Sequence, residues 1–439
     1  MNYTAREVLE FVRENDVKFI RLAFCDIYGI QRNISIMPDG LERAFEYGIS
    51  FDGSAISGFM NIEKSDLFLF PDPSTLSVLP WRPQQGRVIR FFCDVRYPDG
   101  KPFEGDGRNT LKETAEGAFD MGFTPKIGTE CEFYLFERDH DGDPTNIPFD
   151  RAGYLDIAPM DKGENVRREI CLTLEQMGIT PESSHHEKGP GQNEISFKYY
   201  DVVEAADNFV TFKSVVKTVA AKNGLFASFM PKPIEEKNGN GFHINLSLFK
   251  EGVNLFGDAH EHSQLAESFI AGVLRHAAEI TAFTSPLTNS YARFGTFGAP
   301  EYVSWSHQNR SQLIRIPTSA RRTDRRMELR SPDPACNPYI VFSLIISAGL
   351  SGIKDGIALP MPEDANMYSA GERISSDIER LPENLGEALE ILDKSEFVRA
   401  KIGSGFVDKY LEFKKEEYDR ILGCNNILKT EHDMYFLRT

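Results

Sequence analysis

Four stretches far apart in the chain share a pattern that few folds can accommodate: apolar residues at alternate positions, with acids, imidazole, amide or guanidinium between them. In "KIGTECEFYLF" (126–136), Ile127, Cys131, Phe133 and Leu135 fall on one face of a strand and Glu130 and Glu132 on the other. "QNEISFKYY" places Ile195, Phe197 and Tyr199 opposite Glu194, Ser196 and Lys198, and "SSHHEKGPG" just upstream presents Glu187 in a loop. "GFHINLSLF" sets Phe242, Ile244, Leu246 and Leu248 against His243, Asn245 and Ser247, and "RRMELR" sets Met327 and Leu329 against Arg326, Glu328 and Arg330. A single segment of this kind is most often a half-exposed edge whose acids meet water. The other reading is a cation between the carboxylates, because like charges that close repel.

If the four strands pair into one sheet with its apolar face under helices, the opposite face becomes a polar cavity. Glu130, Glu132, Glu187, Glu194, Glu328 and His243 then supply hard ligands suited to divalent magnesium or manganese. Zinc is disfavoured by the lack of a nearby cysteine pair. Divalent ions beside converging arginines are what phosphoryl transfer requires, and a strand-built site does this without a glycine cradle. The chain carries no G-x-G-x-x-G or Walker-type loop.

A formal charge of −17 argues against general nucleic-acid binding. Against it, "RIPTSARRTDRRMELR" packs Arg315, Arg321, Arg322, Arg325, Arg326 and Arg330 into sixteen residues, either a solvated face or a polyphosphate pocket. The six cysteines are scattered without C-x-x-C pairs, as buried reduced thiols would be. The start of the chain reads as an amphipathic helix and a strand, without a signal peptide, and no apolar run is long enough to cross a bilayer; a cytoplasmic protein is expected.

Residues 1 to about 104 read as a compact mixed unit: a first helix, strands around "VKFIRLAFCDIYG" and "RVIRFFCDV", and a loop at "SFDGSAISGF". "YPDGKPFEGDG" (97–107) is a turn-rich boundary, and residues 105–439 form a larger α+β unit. Its "NVRREICLTLEQMGI" has Val166, Ile170, Leu174 and Met177 at helical spacing with Gly178 as a stop.

"FDGSAISGF", "GTECEFYLF", "SHHEKGPGQNEISFKY", "FMPKPIEEKNGNGFHINLSL", "SHQNRSQLIRIP" and "MELRSPDPACNPY" resemble the glutamine synthetase family, in its order and at close to its spacing. The resemblance is nearly end to end and lies with the short bacterial and archaeal type I branch. It implies a small amino-terminal β-grasp-like domain, a large catalytic domain with a curved antiparallel sheet, and assembly into two stacked hexameric rings. It implies ATP as co-substrate, glutamate and ammonia as substrates, and two or three Mg²⁺ or Mn²⁺ ions. Glu132, Glu187 and Glu194 match the ligands of one metal, and Glu130, His243 and Glu328 those of another. Asn238, Gly239, Arg293 and Arg330 match the glutamate site. Arg310, Arg315 and Arg326 match positions that contact the nucleotide phosphates and the transferred phosphoryl group; Glu182, Tyr199 and Ser247 match positions lining the nucleotide. Asp52 resembles an aspartate that reaches a neighbouring subunit's site and takes a proton from ammonium.

The implied reaction phosphorylates the γ-carboxylate of glutamate and displaces phosphate with ammonia. The sequence departs from the family at the flap, where a glutamate is expected in a "PGYEAP"-like turn. Here "ARFGTFGAPEY" is one residue shorter, with Gly298 before Ala299-Pro300. Glu301 follows in what reads as the start of a strand and is not expected to replace it. Two further readings follow: a γ-glutamyl amide ligase using a bulkier primary amine, and a catalytically weak relative that binds metal and nucleotide for regulation. Asn61 stands where the branch often has an arginine linked to glutamine feedback, Thr323 stands near an expected lysine, and Asn245 replaces a second histidine. His185 and His186 are expected to be structural, and "HEH" (260–262) a solvated loop.

Overall fold

The computed structural model describes residues 3–82, 84–257, 263–296, 299–368 and 378–439. Its first helix, Ala5–Glu14, starts at a capping box: the Thr4 hydroxyl accepts from the Glu7 amide and the Glu7 carboxylate accepts from the Thr4 amide. The strand that follows, Val17–Cys25, runs parallel to Arg87–Arg96 at the centre of a six-stranded sheet. Gln31–Ile36 flanks the first antiparallel; Asp66–Pro71 and Ile49–Asp52 continue beyond the second. The expected loop at "SFDGSAISGF" therefore begins as an edge strand. Ile49 and Phe51 turn inward, and the chain bends only at the short 3-10 turn Gly53–Ala55.

The larger unit is organised by the 15-residue strand Thr124–Arg138. Through it runs an eleven-stranded sheet whose main path has seven strands in the order Trp305–His307, Ile314–Ile316, Met327–Leu329, Phe242–Lys250, Thr124–Arg138, Gln192–Phe197, Pro181–His186, with four short strands pairing off it. Every pair is antiparallel except Trp305–His307 with Ile314–Ile316. The predicted apolar faces are all turned into the core: Ile127, Cys131, Phe133, Leu135, Ile195, Phe242, Ile244, Leu246 and Met327 are completely buried. Two helices cover them. Phe209, from Val202–Lys222, stacks on Phe242 at 4.0 Å, and Phe342, from Pro338–Asp355, stacks on the same ring at 6.3 Å. Each such ring removed from water contributes about 1.5–3 kcal/mol.

Two details depart from the alternation read in the sequence. The strand carrying Glu194 ends at Phe197, so Tyr199 leaves the apolar row and is half exposed. Conversely, "SSHH" is strand rather than loop: Pro181–His186 pairs with Gln192–Phe197, which places His185 directly opposite Glu194.

The seam between the two units is tied by charge. Arg108, on helix Gly107–Asp120, is buried and donates to Asp207 of the large unit, to Asp72 at 3.0 Å and to Asp94 at 3.1 Å of the small one. Asn337 caps helix Pro338–Asp355 by accepting from the Tyr339 amide, while its own amide donates to the Asp26 and Ile27 carbonyls. All six cysteines are free thiols, and no described helix is long and apolar enough to cross a membrane.

Candidate active site

Strand register alone brings the polar faces together. Glu130 is the cross-strand partner of His243 on one side and Ser196 on the other; Glu132 is opposite Glu194, Glu194 opposite His185, and Glu328 opposite Asn245 and Arg315. Directly opposed residues on one face lie within side-chain reach. Two ligand-competent clusters result: Glu130, His243 and Glu328, and His185, Glu187 and Glu194. His243 Nδ1 is 3.5 Å from Glu130 and 3.7 Å from Glu328; His185 Nε2 is 3.5 Å from Glu194 and its Nδ1 3.9 Å from Glu187. Glu132 belongs to neither cluster; it accepts from the Gly241 amide at 2.7 Å and from Gln192 Nε2 at 3.1 Å.

This many acids on one buried face cannot all carry charge unaided. Burial, and then the negative charges of Glu187 and Glu194, hold the Glu132 carboxyl up at about 7. Burial also raises Glu194, against the His185 hydrogen bond that lowers it. Glu130 moves the other way: burial raises it, but hydrogen bonds from His243 and Asn245 and the Arg326 charge outweigh that and lower it. The donors are carboxylate oxygens and imidazole nitrogens, with Cys131 turned into the core on the far face. That set fits hard divalent cations, whose charge would relieve the repulsion.

A third buried cluster, Asp150, Asp161 and His186, is already satisfied. Arg167 holds Asp161 at 2.6 Å, while His186 bridges Asp150 at 2.9 Å and the Glu187 carbonyl at 2.6 Å. Asp150 also accepts from the Gly191 amide at 2.9 Å. The cluster thereby clamps both ends of the turn that presents Glu187, in keeping with the structural role expected of His186.

Two cavities meet at Glu130 and Ser196. One, of about 720 Å³, is lined by Glu132, Glu187, Glu194, His243, Asn238, Gly239, Arg293, Arg310 and Arg330. The other, of about 590 Å³, is lined by Glu182, Tyr199, Ser247 and Arg326. Arg315 lines neither; it donates to Glu328 at 2.5 Å, and Arg330 donates to the other oxygen of the same carboxylate. Arg326 donates to Asn245 at 2.8 Å and Asn245 to Glu130 at 3.0 Å, an unbroken relay from guanidinium to carboxylate. Arg293 is held by the Ser331 and Pro332 carbonyls at 3.0 and 3.3 Å. The arginine-rich run divides accordingly: Arg326 and Arg330 face the cavities, whereas Arg321 and Arg322 are exposed.

Comparison with known proteins points the same way. The glutamine synthetase catalytic-domain profile matches residues 104–435 and the family's β-grasp-domain profile matches residues 16–98. The glutamine synthetase of Clostridium saccharobutylicum is 47% identical over 423 residues, covering 95% of both chains. That of Methanosarcina mazei is 48% identical over 422 residues, covering 95% of this chain and 94% of its own. The chain belongs to the glutamine synthetase family. Solved structures of GmaS, one an ADP complex and one without ligand, superimpose with a TM-score of 0.87 at 31% and 32% identity, covering 99% of each chain. The small unit is the family's β-grasp domain, and the family's ligase chemistry comes with it.

Within that family frame, one predicted residue stands apart from the rest. Asp52 is exposed on the edge strand of the β-grasp domain, accepts from the Ser54 amide and hydroxyl, and does not line its own chain's cavities. The Ser54 hydroxyl and amide hold its carboxyl below the usual range. The flap's Gly298 and the "HEH" of His260 to His262 lie outside the described residues. Glu301 faces Arg380, which donates to it at 3.3 Å, and its backbone pairs with Leu381 rather than entering a flap turn. The lining residues outside the expected site set include His185, Tyr154 and Tyr368. His185 was legible from alternation through "ESSHH". Tyr154, stacked edge-on against His185 at 5.6 Å, and Tyr368 come from loops with no periodic signal.

Proposed function

We propose that this chain is an ATP-dependent ligase that joins glutamate to ammonia through γ-glutamyl phosphate. The observation that carries the reading is the meeting, at Glu130, of an arginine-lined cavity and a second cleft across one acid and imidazole cluster. Full-length identity of 45–48% to curated glutamine synthetases supports it.

The second cleft takes ATP, with Glu182, Tyr199 and Ser247 around the nucleoside and Arg326 toward the phosphates; Arg315, outside both cavities, acts on them through the Glu328 carboxylate it holds. Asn238, Gly239, Arg293 and Arg330 hold glutamate in the first. Glu132, Glu187 and Glu194 would hold one divalent ion, and Glu130, His243 and Glu328 another; such ions would supply positive charge that offsets the phosphates. A γ-carboxylate oxygen of glutamate attacks the terminal phosphorus, the bond to ADP breaks, and Arg310 and Arg330 stabilise the equatorial charge. Ammonia nitrogen then attacks the acyl carbon and phosphate leaves. The proton lost from ammonium goes to Asp52 of a neighbouring copy, a carboxylate kept ionised by Ser54. This role requires an oligomer, and two hexameric rings in the cytoplasm form part of the proposal, as does the division into domains at residue 104.

A second reading has its own support. From Tyr291 to Pro300 the sequence carries no acid, Glu301 is engaged by Arg380, and GmaS shares the whole fold. Without a flap carboxylate to attract ammonium, a bulkier primary amine becomes a competing acceptor. ADP release with glutamate, ATP and magnesium, measured while ammonium, methylamine, ethanolamine and polyamines are varied, separates the two. Glutamine synthesis requires the highest kcat/KM with ammonium. A higher value with any other amine transfers the assignment to an amide ligase, and nucleotide binding without turnover defeats both.

A further inference from the structure

Behind the active site, where the β-grasp domain meets the large one, lies a separate cavity of about 230 Å³. Its walls are apolar: Tyr28 from the small domain faces Val210, Phe283, Leu287, Tyr410 and Tyr435 from the large one. Four cationic side chains also line it, Lys213, Lys217, Lys414 and Arg438, and among the described residues no aspartate or glutamate side chain does.

Most of that charge is uncompensated. Lys414 is paired with Glu417 at 3.0 Å. Among the described residues, the one hydrogen bond Lys213 donates is to a neutral group, the Pro334 carbonyl, at 2.7 Å. Arg438 lies over the Tyr28 ring at 5.3 Å and Lys217 near the Phe229 ring at 5.9 Å; neither has an ion-pair partner among the described residues. Thr439 closes one side. Burial, with the Lys213 charge beside it, pushes the Lys217 ammonium down to about 7, as expected where cations share a space without an anion.

Pocket and active site share one loop. Lys213 grips Pro334, Ala335 lines the cavity, and Asn337 ties the loop's end to the β-grasp domain. Three residues earlier, the Ser331 and Pro332 carbonyls hold Arg293, and Arg330 precedes them. We propose that this cavity binds a small organic carboxylate with an apolar body, and that occupancy is transmitted through residues 331–337 to the glutamate side of the active site. The carboxylate meets Lys217 and Arg438, and its apolar body lies among the tyrosines, Phe283 and Leu287. This is a site distinct from the reacting centre, so its binding readout does not depend on the proposed reaction.

The test is calorimetric titration of the full-length protein with benzoate, and with inorganic phosphate as an anion lacking the apolar body. Saturable benzoate binding is expected, weakened about tenfold or more in Lys217→Met and in Arg438→Met. Both variants remove charges without ion-pair partners and leave the active site untouched. Saturating benzoate should shift the KM for glutamate in the parent and not in Lys217→Met. No saturable benzoate binding, or binding indifferent to both variants, overturns the site. Phosphate binding where benzoate fails overturns the ligand class, and an unshifted KM with benzoate bound overturns the coupling.

Discussion

Gly239 offers the sharpest test of the proposed glutamate site, because the structure leaves no room for one additional carbon. A Cβ there would lie 2.6 Å from Arg293 Cγ and 2.6 Å from the Pro231 carbonyl oxygen, against the 3.4 Å at which ordinary contact begins. Both contacts must therefore open by about 0.8 Å. The Pro231 carbonyl is backbone and accepts from the Asn240 amide at 2.7 Å, so it resists. Arg293 is buried but is a side chain, and it yields first, losing its alignment on the Ser331 and Pro332 carbonyls. A displacement near 1 Å in a substrate-holding group costs roughly 10²-fold in kcat/KM, and the overpacking costs about 1–3 kcal/mol of stability. Gly239→Ala should show that loss in steady-state rates with glutamate varied, while its KM for ATP stays close to the parent's. Gly117→Ala is the control: on helix Gly107–Asp120 an added Cβ meets nothing within 4 Å, so stability should rise by about 0.8–1 kcal/mol with rates unchanged. Parental kcat/KM for glutamate in a folded Gly239→Ala would refute both the crowding and the assignment of Arg293.

Manganese affinity, followed by calorimetry, should rise with pH and level off above about 7, because the ion must displace the proton that Glu132 retains below that value; a flat profile would remove Glu132 from the ligand set. In the metal-free protein the sign is opposite for stability. A carboxyl raised in the folded state contributes most below its unfolded value, and that contribution is lost as pH rises toward 7, so chelator-treated protein should melt lower at pH 8 than at pH 6. Glu132→Gln and Glu194→Gln should each abolish turnover and weaken manganese binding while the protein remains folded. Arg108→Met leaves Asp72, Asp94 and Asp207 facing one another across the domain seam and should cost about 3–5 kcal/mol in denaturant unfolding, with KM unchanged in the folded fraction. Glu301→Gln should leave the KM for ammonium unaltered, since Arg380 already holds that carboxylate; a large rise would restore Glu301 as the flap acid.

The faces of the sheet were legible in the sequence because a period of two is a local property: each of the four segments shows by itself which residues meet the core. Their register was not, because it depends on pairings between residues more than fifty positions apart, such as Glu130 with His243 and Glu132 with Glu194. Alternation assembles a polar face without saying which acid sits against which. The resemblance sorted the ligands into two sets; the structure groups Glu130, His243 and Glu328 together but joins His185, not Glu132, to Glu187 and Glu194. Where the local signal misled, the cause was a change of element within a quoted motif. The strand ends at Phe197, which frees Tyr199 for the second cavity, and "SSHH" continues as strand, which brings His185 against Glu194. Tyr368 was beyond any periodic reading: its ring reaches the arginine-lined cavity from an irregular segment, and its hydroxyl donates to the Arg310 carbonyl at 3.4 Å. The site is thus built from two kinds of information. The sheet supplies charges at positions a strand pattern can reveal, and loops supply lining groups such as Tyr154 and Tyr368, with only tertiary contacts to position them.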